Sequence, residues 1–335
     1  MKARFVSLDL TTPQNVALFA LSGLIIWYLC TQLSGLVNFI DDQFRLGAAL
    51  GGTIILSVVT NLPEIAITLS GAAKGDLGLA VGNVLGGIAV QTALLVVFDA
   101  ASGRAAKPLS TLTASPASLL QGLFLLIILG LVIMGKELSP TLIFLRVTPI
   151  EALIVATWLL SLLALRRFPV EEPPAAAPNG LTKTTALVLL ALISAAVLAF
   201  GVLLEATSSA LASHFGINGV VFGATLLALV TSLPELSGGL AFVRARTFQP
   251  IISDIFGGNA FLPLLLLLAS LASGRAVLPD ASAVDIYLTA TALILTAIYL
   301  IGMVVQAPRK RAGLGIDSWA ALAFYALSVL GLFFL

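Results

Sequence analysis

Charge is what this chain has least of. Only 10% of its 335 residues are Asp, Glu, Lys or Arg, against roughly 25% in a soluble domain. Hydrophobic residues make up 59%, and the mean hydropathy is +1.10. These values exclude a soluble globule and an intrinsically disordered chain. Acidic and basic residues nearly balance, 17 Lys and Arg against 16 Asp and Glu, with no dense basic patch. A nucleic-acid partner is excluded on that ground. The single cysteine, Cys30, leaves no intrachain disulfide. The single histidine, His214, cannot build a histidine-cluster metal site and reads as a solvated loop residue. The first dozen residues lack an apolar core ahead of a cleavage site, so no removable signal peptide is expected.

What is abundant is uninterrupted apolar length. Stretches near 15–36, 46–71, 77–98, 117–135, 148–165, 184–205, 218–242, 249–272, 284–304 and 317–335 each approach the ~20 residues of a spanning helix. They predict an all-α polytopic membrane protein with about ten transmembrane helices. After the fifth stretch, Arg166-Arg167-Phe168-Pro169 opens a run rich in proline that continues to Gly180 and cannot extend a membrane helix. It divides the chain into a first five-helix repeat (1–166), a linker (167–183) and a second five-helix repeat (184–335). An odd number of spans per half inverts the second half relative to the first, and inverted repeats are a transporter signature. The loops after the odd-numbered spans hold Arg45, Arg104, Lys107, Arg166, Arg167, Lys183, Arg244, Arg246, Arg309, Lys310 and Arg311. The opposite side holds only Lys2, Arg4, Lys74, Lys136, Arg146 and Arg275. The positive-inside rule then puts the linker in the cytoplasm and both termini outside, in a bacterial-type cytoplasmic membrane.

The two halves share a motif. Thr60-Asn61-Leu62-Pro63-Glu64 aligns with Thr231-Ser232-Leu233-Pro234-Glu235 at an offset of 171 residues. The same offset, without a gap, pairs Gly52 with Gly223 and Gly86-Gly87 with Gly257-Gly258, so the motif segments run 52–91 and 223–262. Two such motifs, each followed at equal distance by a Gly-Gly pair, are hard to obtain by chance. Each proline removes an amide donor and frees carbonyls near Thr60 and Thr231. Irregular backbone at membrane depth is tolerated only where it is buried in protein or lines a wet cavity. The next residue in each copy is a glutamate, and a charge at mid-bilayer costs on the order of 3 kcal/mol unless paired or hydrated. Carboxylates and freed carbonyls make an oxygen cage suited to a hard cation such as Ca²⁺. Glu64, Glu235, Thr60 and Thr231 are therefore the expected metal ligands. Asn61, Ser232, Asn83, Gln91, Asp254 and Asn259 are candidates for the ion pathway. The plainer alternatives are hydroxyls that bond back to their own helix at Thr60 and Thr231, and interhelical hydrogen bonds at Asn83 and Asp254. The glycines read as packing devices, with Gly78, Gly82 and Gly86 spaced for close helix approach and Gly257-Gly258 doing the same in the second half. Asp41 and Asp42 read as a loop cap.

At these residues the sequence resembles the calcium/cation antiporter superfamily, whose best-known branch is the sodium/calcium exchangers. That family carries two inverted repeats, each with a T-S-L-P-E motif followed by a G-N-x-x-G-S-N-type segment. Thr231-Ser232-Leu233-Pro234-Glu235 matches in full, and the first copy departs at Asn61. The second segment appears as Gly82-Asn83-Val84-Leu85-Gly86-Gly87 and as Ser253-Asp254-Ile255-Phe256-Gly257-Gly258-Asn259. The resemblance implies ten helices, alternating access by sliding of the first and sixth spans, and Ca²⁺ held between Glu64, Glu235 and the carbonyls of Thr60 and Thr231. Its Na⁺ positions are less well kept: Asn61, Gly87 and Gly258 stand where the family has serines, and Gln91 and Leu262 where it commonly has Asn or Asp.

The expected function is a secondary antiporter that exchanges Ca²⁺ for Na⁺ or H⁺. The alternatives are an antiporter of another monovalent or divalent cation and a passive cation channel. Two isolated acids at one repeat centre favour a carrier over an open multi-site pore. No paired-aspartate protease motif and no serine-containing G-x-S-G motif lies at membrane depth, so no enzyme is expected. No cofactor is expected beyond the transported ion; the partners are inorganic cations and the lipid bilayer.

Overall fold

The computed structural model describes residues 10–44, 53–103, 107–138, 146–168 and 181–335. Gly52, Arg45, Arg104 and most of the linker, 169–180, lie outside the described residues. Among the described residues every extended element is helical, and the one β-bridge, Arg311 to Leu314, closes a turn.

Helix α1 runs Thr12–Phe44, α2 Thr53–Thr60, α3 Leu62–Lys74 and α4 Leu77–Ala101. After the short α5 (Leu109–Leu112) come α6, Pro116–Glu137, and α7, Pro149–Leu165. The second half opens with α8, Lys183–Phe215. Its motif stretch holds α9 (Gly219–Phe222), a π-helical turn (Gly223–Leu227), α10 (Ala228–Thr231) and α11 (Leu233–Ala245). Then follow α12 (Gln249–Phe261), α13 (Leu264–Ser273), α14 (Ala283–Val305) and α15 (Ile316–Gly331). Each of the ten apolar stretches thus coincides with one helix or one broken pair, and the chain is an integral, multi-pass membrane protein. Six of these helices, with α12–α13 taken as one span, are long and apolar enough to cross a bilayer alone. The pair Gly219–Thr231 and Leu233–Ala245 passes the same test with a bend of 42°.

Local chemistry sets the ends. Ser115 and Thr148 cap α6 and α7 just ahead of Pro116 and Pro149, and Glu151 and Asp285 close capping boxes on α7 and α14. Two helices outrun the sequence expectation. α1 continues past residue 36 to Phe44, so Asp41 and Asp42 extend a helix instead of capping a loop. α8 passes Glu205 and ends at Phe215, because the buried Glu205 carboxylate is paired with Lys74 of α3 and accepts a 2.8 Å hydrogen bond from Ser70. His214 therefore lies in the last turn of α8, not in a loop, and its ring meets the Thr12 hydroxyl at 3.3 Å.

Burial separates a centre from a periphery. In their most apolar windows α4 is 89% buried, whereas α1 and α8 are 28% and 17% buried. α4 is the central post; α1 and α8 pack along each other at the edge and present apolar side chains to lipid. The interhelix contacts come in pairs. α3 packs on α8 as α11 packs on α1; α4 lies against α14 as α12 lies against α6; α6 pairs with α7 as α14 pairs with α15. The glycine stripe of α4 gives the closest approach. A Cβ on Gly82 would sit 2.8 Å from Val220 Cα, and one on Gly223 would sit 2.9 Å from Asn83 N, so here backbone lies on backbone. For the second Gly-Gly pair the described residues show no such contact. Among the described residues nothing lies within 4 Å of a Cβ placed on Gly257, and Gly258 meets only the Asn61 amide, at 3.8 Å.

Candidate functional site

Both motifs break their helix at the residue before Leu-Pro-Glu. Asn61 separates α2 from α3, and Ser232 separates α10 from α11. The cause is the proline at the second position of each downstream helix. It lacks an N–H for the carbonyl four residues back, which is Val59 or Val230. Each downstream helix then starts afresh and carries its glutamate in the first turn, where the partial positive charge of the helix N-terminus favours an anion.

The break residues bond back to their own helices. Asn61 Nδ2 donates to the Ser57 carbonyl at 2.7 Å, and Ser232 Oγ donates to the Ala228 carbonyl at 2.7 Å. Thr60 and Thr231 do likewise more loosely, to Ser57 O at 3.5 Å and Ala228 O at 3.3 Å. The hydroxyls of both threonines thus cap irregular backbone, as the plainer alternative has it.

Glu64 and Glu235 sit between these breaks. They are 1% and 8% exposed and lie within electrostatic range of each other. Neither Glu64 oxygen has a hydrogen-bond partner among the described residues, nor has Glu235 Oε2. Glu64 faces Thr231 across the centre, but the Thr231 hydroxyl spends its hydrogen on Ala228 O and, at 3.5 Å, on Asn83 Oδ1. Further polar atoms are buried without partners among the described residues at Asn61 Oδ1, Asn83 Nδ2, Gln91 Nε2 and Asn259 Oδ1. A carboxylate buried without partner is costly, and a cation removes that cost by replacing hydration with fixed oxygen ligands. Two carboxylates match the charge of one divalent ion.

The other candidates divide. Asn83 on α4 reaches the second motif through Thr231. Asn259 on α12 crosses to α4, donating to Thr92 Oγ1 at 3.0 Å and to Ile88 O at 3.4 Å. Asp254 on α12 lies within electrostatic range of Glu235. Gln91 is buried two turns beyond Asn83 on α4 and meets none of the other candidates by a hydrogen bond. Cys30 of α1 escaped the sequence reading. Its buried thiol lies within electrostatic range of both glutamates, and a lone cysteine in an apolar run carries no spacing signal. Thr92, a polar group that the sequence also offers for the pathway, is the partner of Asn259.

Comparison with known proteins agrees with this geometry. The family model for the sodium/calcium exchanger protein matches twice, over residues 14–192 and 183–334. A putative antiporter, CaxA, of Alkalimonas amylolytica is 28% identical over 275 residues, covering 75% of this chain and 78% of the relative. The inner membrane protein YrbG of Escherichia coli (strain K12) is 28% identical over 265 residues, 75% of this chain and 77% of the relative. Among solved structures, the H⁺/Ca²⁺ exchanger CAX superposes with a TM-score of 0.64 at 15% identity, over 94% of this chain and 86% of that one. The sodium-calcium exchanger NCX_Mj superposes at 0.62 and 19% identity, over 97% and 100%. The chain belongs to the sodium/calcium exchanger protein family.

Proposed function

We propose that this protein is a secondary antiporter that carries Ca²⁺ across the membrane in exchange for H⁺ or Na⁺, using one central site between Glu64 and Glu235. The observation that carries this is the pair of glutamates in the first turns of two matching broken helices, both buried and with three of their oxygens unpartnered among the described residues. Their two negative charges neutralise one divalent ion, and carboxylate with backbone carbonyl oxygen is a hard-cation ligand set. The family and the names of the relatives point to the same class of activity, ion transport and not catalysis.

The halves 1–166 and 184–335 form inverted repeats about this site, joined by the linker 167–183 on the cytoplasmic side, with both termini outside. The paired helix contacts and the double family match support that arrangement. α1 and α8, peripheral and packed along each other, slide to expose the site to one side and then the other. Each state binds the ions with its own affinity, and the gradient of one ion drives the other.

H⁺ is favoured over Na⁺ as counter-ion by the residues around the glutamates. Where the resemblance places Na⁺-binding side chains, a Cβ on Gly87 would instead meet Leu262 Cδ1 at 3.8 Å, and one on Gly258 an Asn61 amide already donated to Ser57 O. Protons need no such ligands, since they bind the same two carboxylates that Ca²⁺ leaves. Purified protein in proteoliposomes, scanned over Ca²⁺, Mg²⁺, Na⁺, K⁺ and pH gradients, tests this. Ca²⁺ flux is expected only with a counter-ion gradient. Flux that runs without any counter-ion would mean a channel.

A further inference from the structure

We propose that Glu205 of α8 is a latch on the transport cycle: paired with Lys74 and hydrogen-bonded to Ser70 of α3, it holds the sliding helices in one position and lets go each time the central site changes sides. The proposal deepens the exchange function above and rests on the sliding of α1 and α8.

The latch grips the helix that carries Glu64. α8 lays Gly201, Glu205 and Ser209, four residues apart and so on one face, along α3 and the start of α4. A Cβ on Gly201 would lie 2.5 Å from Ala66 Cβ and 3.4 Å from the Pro63 carbonyl oxygen, so α8 touches α3 beside the Leu-Pro-Glu break. One turn on, the Glu205 carboxylate pairs with Lys74 and accepts from the Ser70 hydroxyl at 2.8 Å. One turn further, the Ser209 hydroxyl donates to Asp76, the N-cap of α4, at 2.6 Å.

The Glu205 side chain is fully buried and that of Lys74 is 23% exposed. A buried ion pair adds little stability beyond what apolar side chains of the same size would give. What this pair adds is register along α3. A slide of one helical turn is about 5.4 Å, which takes the carboxylate off Ser70. Among the described residues its other oxygen has no hydrogen-bond partner, so the buried charge resists that slide. The contact of His214 with Thr12, at 3.3 Å, joins α8 to α1 and moves with the pair.

The first half carries no such latch. The 171-residue offset lays α1, Thr12–Phe44, on α8, Lys183–Phe215, end to end. It also lays Gly75 on Arg246, and each closes its helix in the left-handed conformation, at φ 86° and 58°. At that offset Glu205 corresponds to Ser34, Ser70 to Ala241 and Lys74 to Ala245. These side chains cannot form an ion pair, and the Ser34 hydroxyl bonds back to the Cys30 carbonyl at 3.2 Å. Charge therefore ties the sliding helices to one half only. One end position of the slide is latched, its mirror position is not, and the carrier is biased toward the first.

The test uses the full-length protein in right-side-out and everted vesicles, with ⁴⁵Ca²⁺ as probe. The half-saturating Ca²⁺ concentration at a face varies inversely with the share of carriers open to it. Glu205→Gln keeps the shape of the latch and removes its charge. It is expected to raise the half-saturating concentration at one face by about three- to tenfold and to lower it at the other. A group that only stabilises the fold would not move the two faces in opposite directions. Unchanged values at both faces, or shifts in the same direction, would overturn the latch, while exchange by the wild type leaves the transport function standing. Failure of the wild type to move Ca²⁺ against any counter-ion would overturn both. Should Glu205→Gln fail to fold, Asp76→Cys with Ser209→Cys in a Cys30→Ser background decides. Oxidation to the disulfide is expected to stop exchange and reduction to restore it. Exchange that persists in the cross-linked protein would overturn the latch.

Discussion

Gly86 and Gly87 are neighbours in α4, yet the structure gives them different tasks, and alanine at each separates those tasks. A Cβ on Gly86 would lie 2.8 Å from the Ala224 carbonyl oxygen and closer still to Ala224 Cα and Cβ. Comfortable carbon contacts begin near 3.5 Å, so α4 and the π-helical turn must part by about 1 Å or more. A Cβ on Gly87 would meet only Leu262 Cδ1, at 3.8 Å, an ordinary contact. Both substitutions gain the same helix propensity, about 1 kcal/mol, so their difference isolates the packing. Overpacking of this kind costs about 1–3 kcal/mol. Gly87→Ala should melt at or above the wild-type temperature in detergent, and Gly86→Ala below Gly87→Ala by that free energy. Equal melting temperatures for the two variants would refute the backbone-on-backbone contact between α4 and the second motif.

Three further expectations follow from other parts of the molecule. Thr182→Cys, in a Cys30→Ser background, should react with an impermeant thiol reagent only from the cytoplasmic side; labelling from outside would reverse the topology. A pH gradient should support Ca²⁺ uptake without Na⁺, and a Na⁺ gradient at clamped pH should drive it weakly; strong, saturable Na⁺-driven uptake with no response to pH would restore Na⁺ as the counter-ion. Lys74→Ala leaves the fully buried Glu205 without its cation, and breaking a buried pair costs about 3–5 kcal/mol. The partial exposure of Lys74 puts the expected loss at the lower end, read as a reduced melting temperature that Glu205→Gln in the same chain partly restores.

The membrane fold was legible because apolar length and proline-rich punctuation are local properties of the sequence. The site was legible because a repeated Leu-Pro-Glu forces the same helix break twice. What stayed hidden depended on partners remote in sequence. The apolar stretch stops at Glu205, whereas α8 runs on to Phe215, because the partner of Glu205, Lys74, lies 131 residues away. The π-helical turn at Gly223–Leu227 leaves no compositional mark, and the matching described segment of the first half, from Thr53, is α-helical. Gly257-Gly258 has the spacing of a packing motif, but among the described residues only the Asn61 amide lies near it, since whether a glycine is pressed depends on the opposing backbone. Cys30 joins the site only because α1 packs across the second motif.

The central claim is that Glu64 and Glu235 together hold the transported divalent ion. Ca²⁺ exchange in proteoliposomes by Glu64→Gln and Glu235→Gln, each shown to be folded and monodisperse, tests it most directly. Each variant keeps shape and hydrogen-bonding capacity and removes one of two anionic ligands. Exchange should fall to the level of empty liposomes in both; near-wild-type exchange by both would contradict a shared central site.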